Sequence, residues 1–211
     1  MLSIIPPVPR GNELTALLVV VCFSAGLNVY ATVAMLGLLG RFDVLSLPPP
    51  LHAVENWWVI GVCVALFLVE FVGDKVPIFD LLWNAMHTFV RVPVAALLTY
   101  AATAQLPEWE RLVATLAGAA IALAAHSGKT AARAAVAPSP EPFSNVALSA
   151  SEDAAVVFLM WLVTKHPYAA ATIVAVALAI IVIMIRAVIR AMRTLLGSAE
   201  TAVAHPGKQA G

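Results

Sequence analysis

From Leu14 to Ile189 the chain is a succession of long apolar runs, and this limits its fold more than any other feature. In hydrocarbon every backbone N–H and C=O must find a partner inside the protein, and helices meet that demand within a single segment. A crossing takes about 20 apolar residues at 1.5 Å rise each. Six runs qualify as spans, at roughly Leu14–Leu39, Trp57–Val72, Leu81–Ala104, Leu112–Ala125, Val146–Val163 and Ala169–Ile189. The second and fourth are short and need the polar residues that follow them. Hydrophobic residues make up 62% of the chain and charged residues 11%, against about 25% charged in a soluble domain. The expected fold is all-α: a polytopic membrane helix bundle of about six transmembrane spans, with interrupted or re-entrant segments.

The connections agree with that division. The loop LSLPPPLHAVENWW ends in a Trp pair suited to the headgroup level, and Trp109 stands in the polar turn AQLPEWERL. Residues 1–12 read as an N-terminal segment without the pattern of a cleaved signal. Residues 13–196 form a single transmembrane domain, and residues 197–211 are a small, polar, disordered tail. With both termini in the cytoplasm, eight Lys and Arg fall inside: Arg10, Lys75, Lys129, Arg133, Arg186, Arg190, Arg193 and Lys208. Three fall outside, Arg41, Arg111 and Lys165. The positive-inside rule therefore predicts cytoplasmic termini. The formal net charge is zero, which gives no basic signal for nucleic acid. The expected partners are the lipid bilayer, a small ion or solute and, through a close contact at Gly37 and Gly40, a second copy of the chain.

Ionisable residues interrupt these runs where they cost most. One cluster lies between Val69 and Arg91, another between His126 and Asp153. Charge at membrane depth costs a few kcal/mol per residue at least, so it points to function. Helical spacing sorts the polar residues into stripes. Ser24, Asn28 and Thr32 fall at i, i+4, i+8, Glu70 and Asp74 at i, i+4, and Asp80, Asn84, His87 and Arg91 at i, i+4, i+7, i+11. His126, Lys129 or Thr130, and Arg133 mark a fourth stripe, and Asn145, Ser149 with Glu152 or Asp153 a fifth. Lys75 adjoins the second. Five polar faces in a bilayer must meet one another or water, so they are expected to converge on one substrate- or ion-binding site. The sixth span has almost no polar residue and reads as a lipid-facing helix.

Breaks are expected around Ser24–Asn28, at Pro93, which removes the donor to the Phe89 carbonyl, and at Pro138–Pro142, as a re-entrant segment or a surface turn. Interrupted spans flanking charge are a sequence pointer to a transporter site. Weak internal likeness, Leu68–Lys75 over Leu123–Thr130 and Ser24–Asn28 with His126–Thr130, allows a 3+3 inverted repeat. No cofactor is expected. The five histidines lack metal spacing, and Gly128-Lys129-Thr130 lacks the first glycine of a phosphate loop.

The segments SAGLNVY, VEFVGDKVPIFD, HTFVR and SPEPFSN…SED resemble domain of unknown function family 4126, small bacterial polytopic membrane proteins, over about Leu14 to Arg193. That likeness implies architecture, not activity. Glu70-Phe-Val-Gly-Asp-Lys75 is also similar to the Glu-x-Gly-Asp-Lys motif of small cation/proton exchangers, which occurs twice on six spans. It implies cation binding by Glu70 and Asp74, although the chain has one residue too many and the second copy lacks both acids. The functional expectation is a transporter or channel for a small ion or solute, with proton coupling open. The alternatives are an enzyme or binder acting on a lipid headgroup, with Lys129 and Arg133 holding phosphate, and a structural or assembly subunit whose charges only pair.

Overall fold

The structure is a computed structural model that describes residue 9 and residues 11–73, 77–136 and 142–204. Side chains are described except at residues 77–85, 134–136, 142–145, 191–192 and 195–204. Seven α-helices account for nearly all of it, with no strand among the described residues. They are α1 (Asn12–Leu27), α2 (Val29–Arg41), α3 (Trp57–Gly73), α4 (Pro77–Ala102), α5 (Glu108–Val136), α6 (Pro142–Lys165) and α7 (Pro167–Ala204). A single 3-10 segment, Pro49–Glu55, precedes α3.

Local chemistry sets these limits. Proline opens α4, α6 and α7, where its missing N–H costs nothing and its fixed φ suits the first turn. Gly11 stands before α1 at φ 54, a conformation that a side chain disfavours. Pro93 lies within α4, and the helix continues through it, so the expected break there is a missing hydrogen bond and not an interruption. The expected break near Ser24–Asn28 is real. The apolar run from Leu14 to Leu39 is two helices of 16 and 13 residues, meeting at an extended Asn28. The segment 137–141 lies outside the described residues, and so do residues 205–211 of the tail; helical backbone in α7 runs through Ala204.

By length and composition three helices suffice to cross a membrane, within α5, α6 and α7, or four if the 3-10 segment and α3, bent by 59°, count as one span. The burial pattern is inverted relative to a soluble domain. Leu116, Leu123, Phe158, Ile180 and Ile183 are exposed, while Glu70 and Arg91 are completely buried. An outward apolar surface over charged interior groups fits lipid as the surrounding solvent. The lipid-facing sixth span corresponds to α7, of whose apolar window only 6% is buried.

Helices α1 and α2 form the centre, with α1 packed on α4, α5, α6 and α7. Two glycines bring α1 and α5 together. A Cβ on Gly26 would collide with the Ala122 carbonyl, and one on Gly118 with Cys22 and Thr99. These rungs make α1 parallel to α5 and, through the 3.1 Å approach of Cys22 Sγ to Thr99 Oγ1, antiparallel to α4. A cavity of about 330 Å³ at one end of this trio has Gly11 and Asn12 on one wall and Gln105 and Leu106 on another. The start of α1 and the α4–α5 turn thus share an end of the bundle. The Lys/Arg count had put Arg10 and Arg111 on opposite sides of the membrane, whereas Gly11 lies at the end of the bundle that holds the α4–α5 turn.

Helices α2 and α3 are antiparallel: the Phe42 ring meets Trp57, Arg41 lies 4.8 Å over the Trp57 ring, and Gly37 packs on Val54 and Ile60. Gly40 likewise packs on Leu47 and Glu55. Both glycines offered as a dimer contact are therefore occupied within the chain. Trp57, Trp58, Trp109 and Tyr168, at the starts of α3, α5 and α7, are exposed, as interfacial aromatics are.

Candidate functional site

The stripes converge where α1 breaks into α2. Asn28 closes the first helix by donating its backbone N–H to the Ser24 carbonyl at 2.8 Å, and opens the second by accepting from Ala31 N–H on Oδ1 at 3.0 Å. Its amide Nδ2 donates to Asp153 Oδ1 on α6 at 3.0 Å. On the other side of the break, Lys129 Nζ of α5 donates to the Leu27 carbonyl at 3.0 Å. A helix carries roughly half a negative charge at its C-terminus and half a positive charge at its N-terminus. The break exposes one end of each kind, with an ammonium on the α1 carbonyl and Asp153 held by the Asn28 side chain that caps α2.

Lys129 extends the network. Its Nζ lies 3.1 Å from Glu152 Oε2 and 3.7 Å from Glu70 Oε1. Glu152 Oε2 also accepts from Arg133 Nη2 at 2.7 Å, and Glu70 Oε1 accepts from Arg91 Nη2. The other guanidinium nitrogen, Nη1, meets His126 Nδ1 at 2.9 Å. Guanidinium only donates, so Nδ1 accepts, and His126 Nε2 carries the proton offered to Thr88 Oγ1 at 2.7 Å. His87 Nε2 and the Tyr30 hydroxyl are 3.0 Å apart, with the rings edge to face.

All of Asn28, Glu70, His87, Arg91, His126, Lys129, Arg133, Ser149, Glu152 and Asp153 are buried. Among the described residues the site holds three carboxylates, Glu70, Glu152 and Asp153, against three cations, Arg91, Lys129 and Arg133. Three buried atoms, Glu70 Oε2, Arg91 Nε and Ser24 Oγ, have no hydrogen-bond partner among the described residues. Cys22 and Cys63 are free thiols.

Of the residues the sequence assigned to the site, Asp74 and Lys75 lie outside the described residues. Asp80 and Asn145 stand on the helical backbone of α4 and α6, with side chains outside the description. The other nine come together. Sequence reasoning missed Tyr30, Thr88 and the Leu27 carbonyl. Thr88 was within reach, since it stands three residues before Arg91 and so on the same helical face. No three His, Cys, Asp or Glu side chains converge as metal ligands among the described residues.

An all-helical bundle with three to four helices fit to cross a membrane, an apolar exterior and its charge inside is the architecture of a helical membrane protein. The chain belongs to the family described as Domain of unknown function (DUF4126), which it matches over residues 16–187. No curated protein and no solved structure matches it. The likeness to the Glu-x-Gly-Asp-Lys exchangers gains no support from these comparisons.

Proposed function

We propose that this protein moves a small ion or solute across a bacterial inner membrane through the site at Asn28. One observation carries the proposal: a buried helix is interrupted at the centre of the bundle, an ammonium sits on the carbonyl end of its first half, and the Asn that caps its second half holds a carboxylate. Discontinuous helices whose ends aim at a charged site are the recurring device of transporters. Non-helical backbone is tolerated there only inside protein or beside a wet cavity.

The path of the chain supports the same reading. Glu70 meets Arg91, and α4 starts 14 residues before Arg91, about 21 Å away at 1.5 Å per residue. Gly73 ends α3 and Pro77 starts α4; four residues reach about 14 Å at most. With roughly parallel axes, α3 must then start at the end of the bundle where α4 finishes. The start of α1 lies there too, beside Gln105, and so does the end of α2, beside Trp57. On this reading α1 and α2 are a re-entrant hairpin with Asn28 at its tip, and α3 to α7 are the crossing helices. This replaces the six-span inverted repeat. Outside the buried network, Arg186, Arg190 and Arg193 lie at one end, against Arg41, Arg111 and Lys165 at the other. On this reading the start of α1 and the end of α7 lie on opposite sides of the membrane.

The test is flux in proteoliposomes across a panel of ions and small solutes, with proton movement followed by an internal dye. Wild type carries one of them, and Lys129→Met and Asp153→Asn abolish the flux while remaining folded. Flux unchanged in both variants, or absent in wild type for every solute, overturns the proposal. The structural-subunit alternative is favoured by one observation, the equal numbers of paired acids and bases, and predicts the last outcome. The lipid-enzyme alternative needs Lys129 and Arg133 to hold phosphate, whereas both are engaged by Glu152.

A further inference from the structure

We propose that Lys129 is a tethered occupant of a cation cradle, and that the ligand of the site is a monovalent cation that exchanges with its ammonium. This rests on the break being the working site. The cradle consists of the Leu27 carbonyl at 3.0 Å, Glu152 Oε2 at 3.1 Å and Glu70 Oε1 at 3.7 Å around Nζ. All its oxygens come from buried residues or from the exposed end of a buried helix. They are hard ligands of the kind that replace the water shell of a metal cation. A helix C-terminus adds its own negative potential at the same point.

Charge counting selects the valence. Each carboxylate of the cradle is shared with a second cation, Glu70 with Arg91 and Glu152 with Arg133. If the ammonium withdraws, those guanidinium groups stay, and among the described residues three carboxylates face two cations. The deficit is a single charge. An anion would deepen the imbalance, and a divalent ion would overshoot it. Glu70 supplies one more ligand atom, because its buried Oε2 has no hydrogen-bond partner among the described residues. An ion in the cradle could take that oxygen without breaking the bond from Arg91 to Oε1. The Lys129 stem is flexible and its ammonium is a compact point charge, so withdrawal needs only side-chain rotation, unlike the planar, doubly engaged Arg91.

The test is binding to Lys129→Ala in detergent, read as the melting temperature in choline chloride and in sodium, potassium or methylammonium chloride at equal ionic strength. Methylammonium restores the missing head group directly. Lys129→Ala is expected to melt several degrees higher, saturably, with methylammonium and with at least one of the two metal ions, while wild type, whose ammonium competes for the cradle, responds to the same ions only at higher concentration. The double variant Lys129→Ala/Glu70→Gln has its charge balance restored. It is expected to melt above the single variant in choline and to lose the cation response. An equal response to every salt, or none, overturns the cradle. So does a single variant that folds in no medium while the double variant folds. Because the readout is binding, a failed cradle leaves the transport proposal standing, and absent flux leaves the cradle standing.

Discussion

Replacing Arg91 with methionine tests whether the network holds the bundle together. Arg91 is completely buried and bonds to Glu70 through one guanidinium nitrogen and to His126 through the other, the latter at 2.9 Å. Methionine fills much of the volume and leaves both partners. Removing one member of a buried ion pair costs about 3–5 kcal/mol, since the survivor stays desolvated. Here Glu70 keeps Lys129 at 3.7 Å, and a charge at about 4 Å is worth roughly 4 kcal/mol at an effective dielectric near 20. That places the ionic loss at the lower bound, about 3 kcal/mol. His126 Nδ1 loses its donor, and an unsatisfied buried acceptor adds about 1 kcal/mol. The total of about 4 kcal/mol is a shift of nearly a thousandfold in the folded-to-unfolded ratio. The assay is equilibrium unfolding by SDS in mixed micelles, followed by far-UV circular dichroism. Adding Glu70→Gln removes the stranded charge, so the double variant should regain about 2 kcal/mol, within the usual coupling of contacting residues. Stability within about 0.5 kcal/mol of wild type for Arg91→Met, the range of an unconnected surface site, would refute the reasoning. So would strict additivity in the double variant.

Asn28→Ala should cost about 1–2 kcal/mol in the same titration by removing the cap on Ala31 N–H. Asn28→Asp should cost more, because it sets a carboxylate against Asp153. Gly26→Val forces α1 away from the Ala122 carbonyl and should cost about 1–3 kcal/mol or more, seen as a lower melting temperature. Gly61→Ala, whose Cβ meets nothing within 4 Å, is the control and should melt like wild type to within about 0.5 kcal/mol. Single cysteines at Asn12, Trp58 and Leu106, in a Cys63→Ser background, should react with an impermeant maleimide from the same side of sealed vesicles. Labelling from opposite sides rules out the re-entrant hairpin.

Helical spacing found the interior because a polar side chain in lipid has few places to go. Ser24, Asn28 and Thr32 recur every four residues, and all three are buried at the bundle centre. The same periodicity cannot register a single residue that leaves the helix. Hydropathy over Leu14–Leu39 reads as one span, and it is the small, turn-prone residues of Ser24–Asn28 that mark the break at the extended Asn28. The Lys/Arg count, which placed both termini in the cytoplasm, carries less weight for a different reason. Lys129 and Arg133 entered the Lys/Arg count as if they lay in a cytoplasmic loop, but the fold buries both against Glu152. A cation neutralised inside a bundle says nothing about which side of the membrane its helix faces. Asn145 and Asp80 joined the stripes by spacing alone, and their side chains fall outside the described residues.

The glycine rungs between α1 and α5 divide the molecule into a frame and its moving parts. At Gly26 the α1 backbone lies directly on the Ala122 carbonyl of α5, and over Gly118 only the short Cys22 side chain separates the same two helices. The Leu27 carbonyl and Lys129 are thereby fixed to one frame, and their spacing resists displacement of either helix. Glu70 and Glu152 arrive on α3 and α6, outside those rungs. Any opening larger than a rotation of the Lys129 side chain must therefore come from α3 or α6 carrying its carboxylate away from that frame. A covalent link between α1 and α5 should leave the working cycle intact, and one that ties α3 or α6 to that frame should stop it.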